Sequence, residues 1–384
     1  MEKNYFAIFG AGKWGKDALV KYGRENVLYF IDNKKLGNVV EGVKVVGLDY
    51  YKVDKVKPKI IIATVYWRDI VYQLKQNDLD YWIIYMPEFK SYFPEDILVY
   101  NQYKYRKECV IEQEYGQLSI DQNRDLLIES RVRELSNDIP LFSNIQIETY
   151  NRCNGVCDFC PVSVQWESRV EKKMEWSLFY KIINELSELN YSGQLSLYSN
   201  NEPFLDDRIL DMHEYARKKV PKARMYLFTN GTLLTLEKFK RLMNYLDELI
   251  IDNYNQQLRL IPNSIKIKEY CESHPELIKK VTISIRKPKE MLANRGSEVP
   301  NRKEEISYEN YTCVNPFVQM IVRPDGKVSL CCNDSLGKNT MGDLNINSLE
   351  EIWYGEMFGK ARKAIKNGRQ NWPICKYCDV FNLG

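Results

Sequence analysis

The chain has 384 residues, of which 44% are apolar, 28% charged and 12% aromatic, a composition typical of a globular protein with roughly two or three domains. Its 55 Lys and Arg against 52 Asp and Glu leave a formal charge of +3, so charge does not indicate a nucleic-acid partner. The most apolar run, Ile60 to Trp67, is too short to span a bilayer, and the N-terminus does not read as a signal peptide. We therefore expect a cytoplasmic protein with neither a membrane nor a nucleic acid as partner.

The first segment, residues 1–98, alternates short apolar strands with helices, a pattern typical of a parallel sheet. The strand Tyr5–Phe9 leads into a glycine-rich turn and a helix, and a second strand ends at an acidic residue. This order matches the dinucleotide-binding fingerprint, in which glycines admit a phosphate to a helix N-terminus and the acid binds a ribose hydroxyl. The predicted nucleotide-binding residues are Gly10, Gly12, Gly15 and Asp32.

This N-terminal domain is too short to contain both halves of an NAD site. Its stretch Ile31–Gly47 resembles small Rossmann-like modules attached to sugar-modifying and polysaccharide-assembly enzymes. The resemblance implies one of two roles: the domain holds the nucleotide of an activated sugar, or it is a docking module.

Residues 99–143 are polar and are predicted to form a connector with one helix over Gln122–Leu135. From residue 144 to about residue 300, strands and helices alternate about five times, with roughly thirty residues in each repeat. This alternation predicts an open or partial β/α barrel. Residues 301–384 lack the alternation and are predicted to form a small irregular domain.

Eight of the ten cysteines fall into two groups, which in a reducing compartment indicate metal sites. Cys109 and Cys271 lie apart from them and are expected to be small buried hydrophobes. The first group, Cys153, Cys157 and Cys160, follows the first barrel strand. Three thiolates leave one iron of an iron–sulfur cluster open, whereas structural zinc requires four ligands, so the count favours iron over zinc.

The spacing of this first group, with Phe159 directly before the last cysteine, resembles the signature of radical S-adenosylmethionine (SAM) enzymes. Ser199–Pro203 is similar to the Gly-Gly-Glu-Pro segment of that family, and Thr229–Gly231 to the end of its next strand. The resemblance covers residues 145–384. It implies a partial (β/α)6 barrel in which a [4Fe–4S] cluster chelates SAM and cleaves it reductively to a 5′-deoxyadenosyl radical, with Phe159 beside the adenine.

The resemblance also implies roles for side chains around SAM. Glu202 would be the charge partner of the amino group, together with Asn200 and Asn201, which stand where the family has glycines. Asp252, where the family commonly has Ser, would reach the ribose hydroxyls. Arg286 either pairs with the methionine carboxylate or is a solvated charge at a strand end.

The second cysteine group resembles the C-terminal SPASM/Twitch extension of radical SAM enzymes. A hairpin turning at Asp325–Gly326 is expected to bring two of its cysteines together. The count permits one auxiliary [4Fe–4S] cluster, the second in the chain, and a zinc ribbon on the same residues is the alternative. The expected ligands are Cys313, Cys331, Cys375 and Cys378.

Three residues remain as candidates for contact with the substrate. Asn294 and Arg295, which join the barrel to the auxiliary domain, either contact the substrate or only form a loop turn. Cys332 is either a buried bystander or a hydrogen-atom donor. His213 and His274 lie on polar helix stretches and are expected at the surface, which disfavours acid–base catalysis by histidine.

We therefore predict a radical SAM oxidoreductase that abstracts a hydrogen atom from carbon on a small polar substrate, favouring a nucleotide-linked sugar or related alcohol. Electrons would come from an external donor such as flavodoxin or ferredoxin. Three alternatives stay open. They are a redox-neutral epimerase that uses Cys332, a ribosomal-peptide maturase, and a zinc-stabilised nucleotide-binding protein without catalysis.

Overall fold

A computed structural model of the chain describes residues 5–64, 67–79, 81–85, 97–103, 120–302 and 307–380. The chain divides into two compact units, one built from residues 1–90 and 118–138 and the other from residues 91–117 and 139–382. Cys109 lies outside the described residues. Within the described part of the chain, every helix is too short or too polar to cross a membrane.

The N-terminal unit is built on a six-stranded sheet with the strand order β3-β4-β2-β1-β5-β6. All neighbouring strands are parallel except β3 and β4, and the parallel strands follow the order of a doubly wound sheet. Its strands are β1 Phe6–Phe9, β2 Val27–Ile31, β3 Val39–Val40, β4 Val43–Val46, β5 Lys59–Ile62 and β6 Trp82–Ile84. Its helices are α1 Lys13–Tyr22, α2 Leu48–Val53, α3 Trp67–Lys75 and α4 Ile120–Asn137.

Both faces of this sheet are buried. Along β1, Ala7 and Phe9 belong to one hydrophobic cluster and Ile8 to another, because successive residues of a strand face opposite sides. Helix α4, predicted as part of a connector, belongs to this unit: the Ile84 N–H donates to Ser130 Oγ. The connector therefore does not form a separate element between the domains.

The second unit contains a nine-stranded sheet with the order β15-β14-β13-β8-β9-β10-β11-β12-β7. The strands from β13 to β7 in this order pair in parallel, whereas β14 pairs antiparallel with both of its neighbours, β13 and β15. The strands are β7 Val99–Asn101, β8 Asn144–Ile147, β9 Gln194–Ser196, β10 Arg224–Thr229, β11 Glu248–Tyr254, β12 Val281–Arg286, β13 Gln319–Val322, β14 Lys327–Ser329 and β15 Thr340–Asp343. The helices are α5 Trp176–Glu188, α6 Ile209–Lys219, α7 Leu236–Leu242, α8 Pro262–Glu272, α9 Asn315–Val318, α10 Leu349–Trp353 and α11 Glu356–Lys366.

Two strands extend the predicted barrel sheet. β7, from the predicted connector, pairs in parallel with β12, and β13, from the predicted C-terminal domain, pairs in parallel with β8. The predicted hairpin is formed by β13 and β14, which pair Val322 with Val328 across the turn. The sheet is thus shared between the predicted barrel and the domain with the second cysteine group.

One face of this sheet is covered by helices, and the other is polar. Ile145 and Ile147 of β8 pack in the same hydrophobic cluster as the apolar stripe of α5. The alternate residues Asn144 and Gln146 lie on the opposite face, where both donate to the Tyr226 hydroxyl at 3.0 and 3.2 Å. This polar face lies beside the strand ends that carry the candidate site.

Candidate active site

The first cysteine group lies on the loop that follows β8. The Cys160 N–H donates to the Cys157 carbonyl at 3.2 Å, and the Gly155 N–H donates to Cys153 Sγ at 3.3 Å. A Cβ at Gly155 would lie 3.3 Å from Cys153 Sγ and 3.8 Å from Cys157 Sγ, so this glycine lies between the two thiols. The loop therefore brings the three predicted ligands together.

Two of these thiols are deprived of water. Burial raises the pKa of both Cys153 and Cys157 to about 12, and the neighbouring thiols act in the same direction. Without metal they are therefore protonated at neutral pH. Binding of iron must displace these protons, because the thiolate is the ligand form.

Glu202 lies at the carboxyl end of the next strand and is 1% exposed. Its Oε1 accepts a hydrogen bond from Thr229 Oγ1 at 2.7 Å, and its Oε2 accepts one from the Asn230 N–H at 2.8 Å. Burial nevertheless raises the pKa of Glu202 to about 7. Hydrogen bonds from N–H donors would favour the charged form, so this buried carboxyl suits the amino group of SAM.

Of the two asparagines before Glu202, only Asn201 offers a free group. Asn201 Nδ2 is buried and has no hydrogen-bond partner among the described residues. Asn200 instead accepts from Arg295 Nη1 at 3.1 Å and donates to the Cys332 carbonyl at 3.2 Å. This corrects the expectation that Asn200 faces the SAM amino group, because both ends of its amide bind residues nearer the C-terminus.

Asp252 and Arg286 belong to neighbouring strands near the first cysteine group. Burial raises the pKa of Asp252 to about 6, while the nearby Arg286 opposes the shift. Arg286 Nη2 donates to Glu290 Oε2 at 3.1 Å, whereas its Nε is buried without a hydrogen-bond partner in the described part of the chain. Arg286 is therefore not a solvated charge, and its free Nε fits a ligand carboxylate.

An aromatic pair lies at the same strand ends. The Phe159 ring lies 5.9 Å from the ring of Tyr254, centroid to centroid, and Tyr254 is aligned with Arg286 across the two strands. Sequence reasoning missed Tyr254. Its signal was its position two residues after Asp252, which puts both side chains on one face of β11.

The second cysteine group also converges. Burial raises the pKa of Cys331 well above its usual value, and the thiols of Cys313, Cys375 and Cys378 act in the same direction. The Cys378 N–H donates to the Cys375 carbonyl at 3.1 Å, which turns both thiols toward one side. The hairpin and this C-terminal turn therefore bring the four predicted auxiliary ligands together.

The donor chemistry of both groups suits iron–sulfur clusters. Three thiols in the first set would leave one iron open to SAM, and the four in the second set would saturate a cluster. Among the residues that the structure describes, no three Cys, His, Asp or Glu side chains form a closely grouped site for a single metal ion.

The two predicted substrate contacts, Asn294 and Arg295, are adjacent in the segment between β12 and α9 but have different surroundings. Asn294 is 1% exposed; its Nδ2 donates to the Tyr377 carbonyl at 2.6 Å and its Oδ1 accepts from the Asp379 N–H at 3.2 Å. These bonds favour the second of the two roles expected for Asn294, that of a residue in a loop turn, because its amide binds the C-terminal segment. Arg295, next to it, contacts Asn200 and also donates to Ser335 Oγ at 3.4 Å.

Cys332 lies at the junction between the SAM-binding segment and the auxiliary site. Its carbonyl accepts from Asn200, and the preceding residue is an auxiliary ligand. Burial raises the pKa of the Cys332 thiol, while Arg295 and the Gln319 amide act in the opposite direction. Cys332 therefore lies beside both Arg295 and Gln319.

Arg169 was missed by sequence reasoning, although it organises this region. Its guanidinium donates to both carboxylate oxygens of Glu148 at 3.0 Å, to Glu167 at 2.8 Å and to the Asn200 carbonyl at 2.9 Å. Glu148, 2% exposed, directly follows β8. A carboxylate at the end of a buried strand was the available signal, because such positions form the active-site edge of β/α folds.

In the N-terminal unit, the Asp32 carboxylate is bonded to backbone N–H groups in and near the glycine-rich turn. Asp32 accepts hydrogen bonds from the N–H groups of Ala11 at 2.9 Å, Lys34 at 2.8 Å and Lys35 at 3.1 Å. These bonds hold the pKa of Asp32 below its usual value, although partial burial acts to raise it. Since a carboxylate has about four acceptor positions, these three bonds leave about one of them for a ligand, and the ribose-binding role of Asp32 stays a prediction.

The three glycines of this turn differ in their surroundings. A Cβ at Gly10 would lie 2.5 Å from the Ala63 carbonyl oxygen, and one at Gly15 would lie 2.0 Å from that of Gly10. These two glycines are therefore required by close packing. Gly12 alone has open space around its Cα, at the start of α1.

His213 was expected at the surface, but it lies in the core. It is fully buried, and its Nδ1 lies 2.7 Å from the Ile209 carbonyl. Burial lowers its pKa to about 4. The residue lies on the same helical stripe as Met212 and Ala216, which face the core.

Comparison with known proteins agrees with this geometry. Residues 147–255 match the radical SAM superfamily, and residues 313–379 match the SPASM iron–sulfur cluster-binding domain. The S-adenosyl-L-methionine-dependent 2-deoxy-scyllo-inosamine dehydrogenase of Niallia circulans is 26% identical over 252 residues, which cover 63% of this chain and 95% of the relative. The tungsten-containing aldehyde ferredoxin oxidoreductase cofactor-modifying protein of Pyrococcus furiosus is 31% identical over 98 residues, 26% of each chain.

A solved structure is similar as well. The crystal structure of BtrN in complex with AdoMet and 2-DOIA has a TM-score of 0.54 at 25% identity, and the match covers 63% of this chain and 94% of BtrN. The predicted family, cofactors and enzyme class are thereby confirmed, and the non-enzymatic zinc alternative does not hold. The chain thus carries a radical SAM domain and a C-terminal SPASM domain, and it is a radical SAM oxidoreductase that uses S-adenosylmethionine and iron–sulfur clusters.

Proposed function

We propose that this enzyme oxidises a hydroxyl-bearing carbon of a small sugar-like or cyclitol-like alcohol to a ketone. The observation that carries the proposal is the direct link between the SAM-binding segment and the auxiliary site. Asn200, two residues before Glu202, donates to the carbonyl of Cys332, which follows the auxiliary ligand Cys331. An electron released at the substrate thus has an acceptor close by. The dehydrogenase of Niallia circulans, similar over nearly its whole length, supports the same reaction class.

The polar face of the barrel sheet supports an uncharged, hydroxyl-rich substrate. Asn144, Gln146 and Tyr226 form a hydrogen-bonded group on this face. Ser196, on the neighbouring strand, is fully buried, and its Oγ has no hydrogen-bond partner among the described residues. Hydroxyl and amide groups that are kept from water recognise substrate hydroxyls, since an unpaired partner costs about 1–3 kcal/mol.

The residues proposed to hold the cofactors fit their chemistry. Cys153, Cys157 and Cys160 would bind the cluster that holds SAM, while the unpaired Asn201 Nδ2 and Arg286 Nε would meet its polar groups. When bound, SAM at the reduced cluster supplies the 5′-deoxyadenosyl radical that takes a hydrogen atom. Glu202 would bind the amino group, and Asp252 and Phe159 the ribose and adenine.

Arg295 is the proposed substrate-positioning residue. It is half-buried, and its guanidinium lies between Asn200 and Ser335. It would orient a substrate hydroxyl at the junction of the two cluster sites. A fixed guanidinium loses less conformational freedom per hydrogen bond than a lysine, which suits it to this task.

The redox-neutral epimerase is the second candidate, because Cys332 lies beside Arg295 and Gln319 at this junction. An epimerase would transfer a solvent-derived hydrogen from the thiol to the substrate radical. In deuterated water its product would gain one deuteron at unchanged oxidation state, and Cys332→Ala would abolish that gain. A dehydrogenase product is two hydrogens lighter, with one SAM consumed per product.

The test is anaerobic turnover on a panel of aminocyclitols and nucleotide sugars with a chemical reductant or flavodoxin. We expect a product two hydrogens lighter and one 5′-deoxyadenosine per product. Replacing Cys153, Cys157 and Cys160 by Ala should leave about four irons, those of the auxiliary cluster, and abolish SAM cleavage. Cys271→Ala, a buried thiol outside both groups, is the matched control. SAM cleavage by the triple variant would refute the assignment.

Two partners complete the proposal. An external low-potential donor such as flavodoxin or ferredoxin would reduce the SAM cluster, in a cytoplasm that keeps the thiols reduced; the nine described cysteines are all free. The N-terminal unit would bind a nucleotide diphosphate at Gly12 and the start of α1, or serve as a docking module. The open space at Gly12 supports the first role.

A further inference from the structure

The barrel sheet continues into the C-terminal domain through β13, whose first residue is Gln319. Gln319 is aligned with Asn144 of β8, which lies on the polar face of the sheet. Met320 and Val322 belong to the hydrophobic cluster on the opposite, helix-covered face. Because side chains alternate along a strand, the Gln319 side chain lies on the polar face, which is proposed to contact the substrate.

The carbonyl end of the Gln319 amide is left without a donor. The residue is 8% exposed, and its Oε1 is buried with no hydrogen-bond partner among the described residues. The neighbouring Asn144 does not donate to it, because its amide bonds to Gln194 and to the Tyr226 hydroxyl. A buried acceptor that stays unpaired is costly, so we expect a bound group to donate to it.

A second buried amide lies one turn earlier in the chain. Asn315 begins α9, and its carbonyl accepts from the Gln319 N–H. It is 1% exposed, and neither its Oδ1 nor its Nδ2 has a partner in the described part of the chain. The two amides thus offer acceptors and a donor. A hydroxyl group matches this set because it both donates and accepts, whereas an ammonium group only donates.

The charges on this face also disfavour an ammonium group. Glu248 of β11 accepts from Arg224 Nη2 at 2.7 Å. Gln319 begins its strand and lies toward the amino ends of the parallel strands. A cation bound there would meet an amide oxygen instead of a carboxylate, and burial of a cation without a countercharge is costly. The other acidic side chains described on this face lie at the carboxyl ends of the strands, around the proposed SAM site: Glu148, Glu202 and Asp252.

We propose that Gln319 is a specificity residue, which selects a neutral cyclitol or sugar with a hydroxyl at this position and rejects the analogue with an ammonium group there. The inference rests on the proposed function, because it takes the polar face as the substrate site. It narrows the sugar-like and cyclitol-like alcohols to their uncharged members.

Two matched pairs of compounds test this selectivity: scyllo-inositol with scyllo-inosamine, and glucose with glucosamine. Calorimetry on the anaerobic, iron-loaded, full-length protein with excess SAM measures binding, and turnover measures kcat/KM. In the pair that binds more tightly, we expect the hydroxyl compound to be preferred about tenfold or more at about pH 7, where most of the amine is protonated. Comparable or tighter binding of the amino compound in that pair, or no binding by either pair, would overturn the inference.

Substitutions of Gln319 assign the preference to this residue. Gln319→Glu places a carboxylate on the face and should shift the preference toward the amino compound about tenfold or more. Gln319→Leu removes the acceptor and should weaken binding of the hydroxyl compound about tenfold, without improving binding of the amine. Gln76→Glu, at an exposed amide that donates to Tyr72 in the N-terminal unit, is the matched control.

Iron content and SAM binding show whether each variant has folded, and they should be unchanged in all three. If Gln319→Glu does not fold, Gln319→Leu decides. An unchanged preference in the Gln319 variants that fold would overturn the assignment to this residue.

Binding and turnover separate this inference from the proposed function. Selective binding of the hydroxyl compound without a product two hydrogens lighter would support the role of Gln319 and refute the proposed oxidation. Oxidation of both members of a pair with similar kcat/KM would support the oxidation and refute the selectivity.

Discussion

Glu202 couples cofactor binding to a proton. Its carboxyl group is almost fully buried, and burial raises its pKa to about 7 although Thr229 and the Asn230 N–H act in the opposite direction. In the SAM-free protein the carboxyl is thus largely protonated below pH 7. Hydrogen bonds from the SAM amino group favour the carboxylate, so SAM binding at low pH releases a proton from Glu202.

We therefore expect Glu202 to make the affinity for SAM fall about tenfold per pH unit below pH 7, beyond the fall that protonation of the free SAM amino group itself causes. Isothermal titration calorimetry of the anaerobic, iron-loaded protein measures this slope. Glu202→Gln should weaken binding and flatten the slope, whereas Glu214→Gln, at a half-buried carboxylate on α6, should change neither. An unchanged slope in Glu202→Gln would assign the proton to another group.

A second prediction concerns the buried pair of Arg169 and Glu148, whose side chains are 10% and 2% exposed. Arg169→Ala should lower the free energy of unfolding by about 3–5 kcal/mol, because it leaves Glu148 buried without its partner. Adding Glu148→Gln should recover part of the loss. Chemical denaturation measures both effects.

The control for this pair is Arg241, whose ion pair with Asp211 is exposed on helix surfaces. Arg241→Ala should change the free energy of unfolding by at most about 1 kcal/mol. A similar small loss in Arg169→Ala would mean that Glu148 takes up a proton in place of its partner. SAM affinity should also fall in Arg169→Ala, because Arg169 holds the Asn200 carbonyl.

At the scale of elements, the segment from Asn294 to Ser297 has an unusual backbone. Arg295, Gly296 and Ser297 have φ values of 48°, 69° and 68°, in the left-handed region. Each non-glycine residue there costs roughly 1–2 kcal/mol, so other contacts must hold the segment. The buried Asn294 amide supplies them through Tyr377 and Asp379. This anchoring presents Arg295 at the junction.

Asn294, which anchors the segment, and Arg295, which lies at the junction, should respond differently to substitution. Asn294→Ala should lower the free energy of unfolding by about 1–3 kcal/mol, because the groups it bonds are left unsatisfied. Arg295→Ala should leave stability within about 1 kcal/mol and raise KM for the substrate. Denaturation curves and steady-state kinetics separate the two. Equal losses of stability with an unchanged KM would make Arg295 a structural residue.

The elements that sequence reasoning placed correctly are those with local patterns. The strands and helices from β8 to β12 follow from apolar runs and helical periodicity, and the two cysteine sets follow from their spacing together with the family resemblance that it carries. Strands β7 and β13 were not expected in the barrel sheet. β7 has only three residues, and both strands are placed by pairing with partners far away in the chain, which no local pattern encodes.

The direction of individual side chains was the second feature that the sequence did not predict. The sequence places Asp32, Asn200 and Asn294 next to chemically active segments, and in each case the side chain bonds to nearby protein groups instead. Asx side chains compete for backbone N–H groups, and the outcome depends on loop geometry that only the folded chain defines. Conversely, Asn201, Glu202 and Arg286 have the buried polar atoms expected of ligand contacts.

For the whole molecule, the N-terminal unit has two proposed roles, nucleotide binding and docking. Its sheet has the strand order of a nucleotide-binding fold, yet Asp32 fastens the glycine-rich turn through three backbone N–H groups. Gly12 alone leaves open space above the start of α1. The structure therefore leaves room for a phosphate at a helix N-terminus, and it shows that Asp32 also stabilises the turn.

We expect the full-length protein to bind a nucleoside diphosphate or a nucleotide sugar in calorimetry, and Gly12→Val to lose that binding. The valine side chain would occupy the open space where a phosphate approaches the N–H groups of α1. Asp32→Ala should instead lower the thermal stability of the N-terminal unit, because three backbone donors lose their acceptor. SAM cleavage, measured as 5′-deoxyadenosine release, should be unchanged in Gly12→Val, since the valine lies in the other unit. Absence of binding across all nucleotides tested in the unsubstituted chain would leave the docking role as the function of this unit.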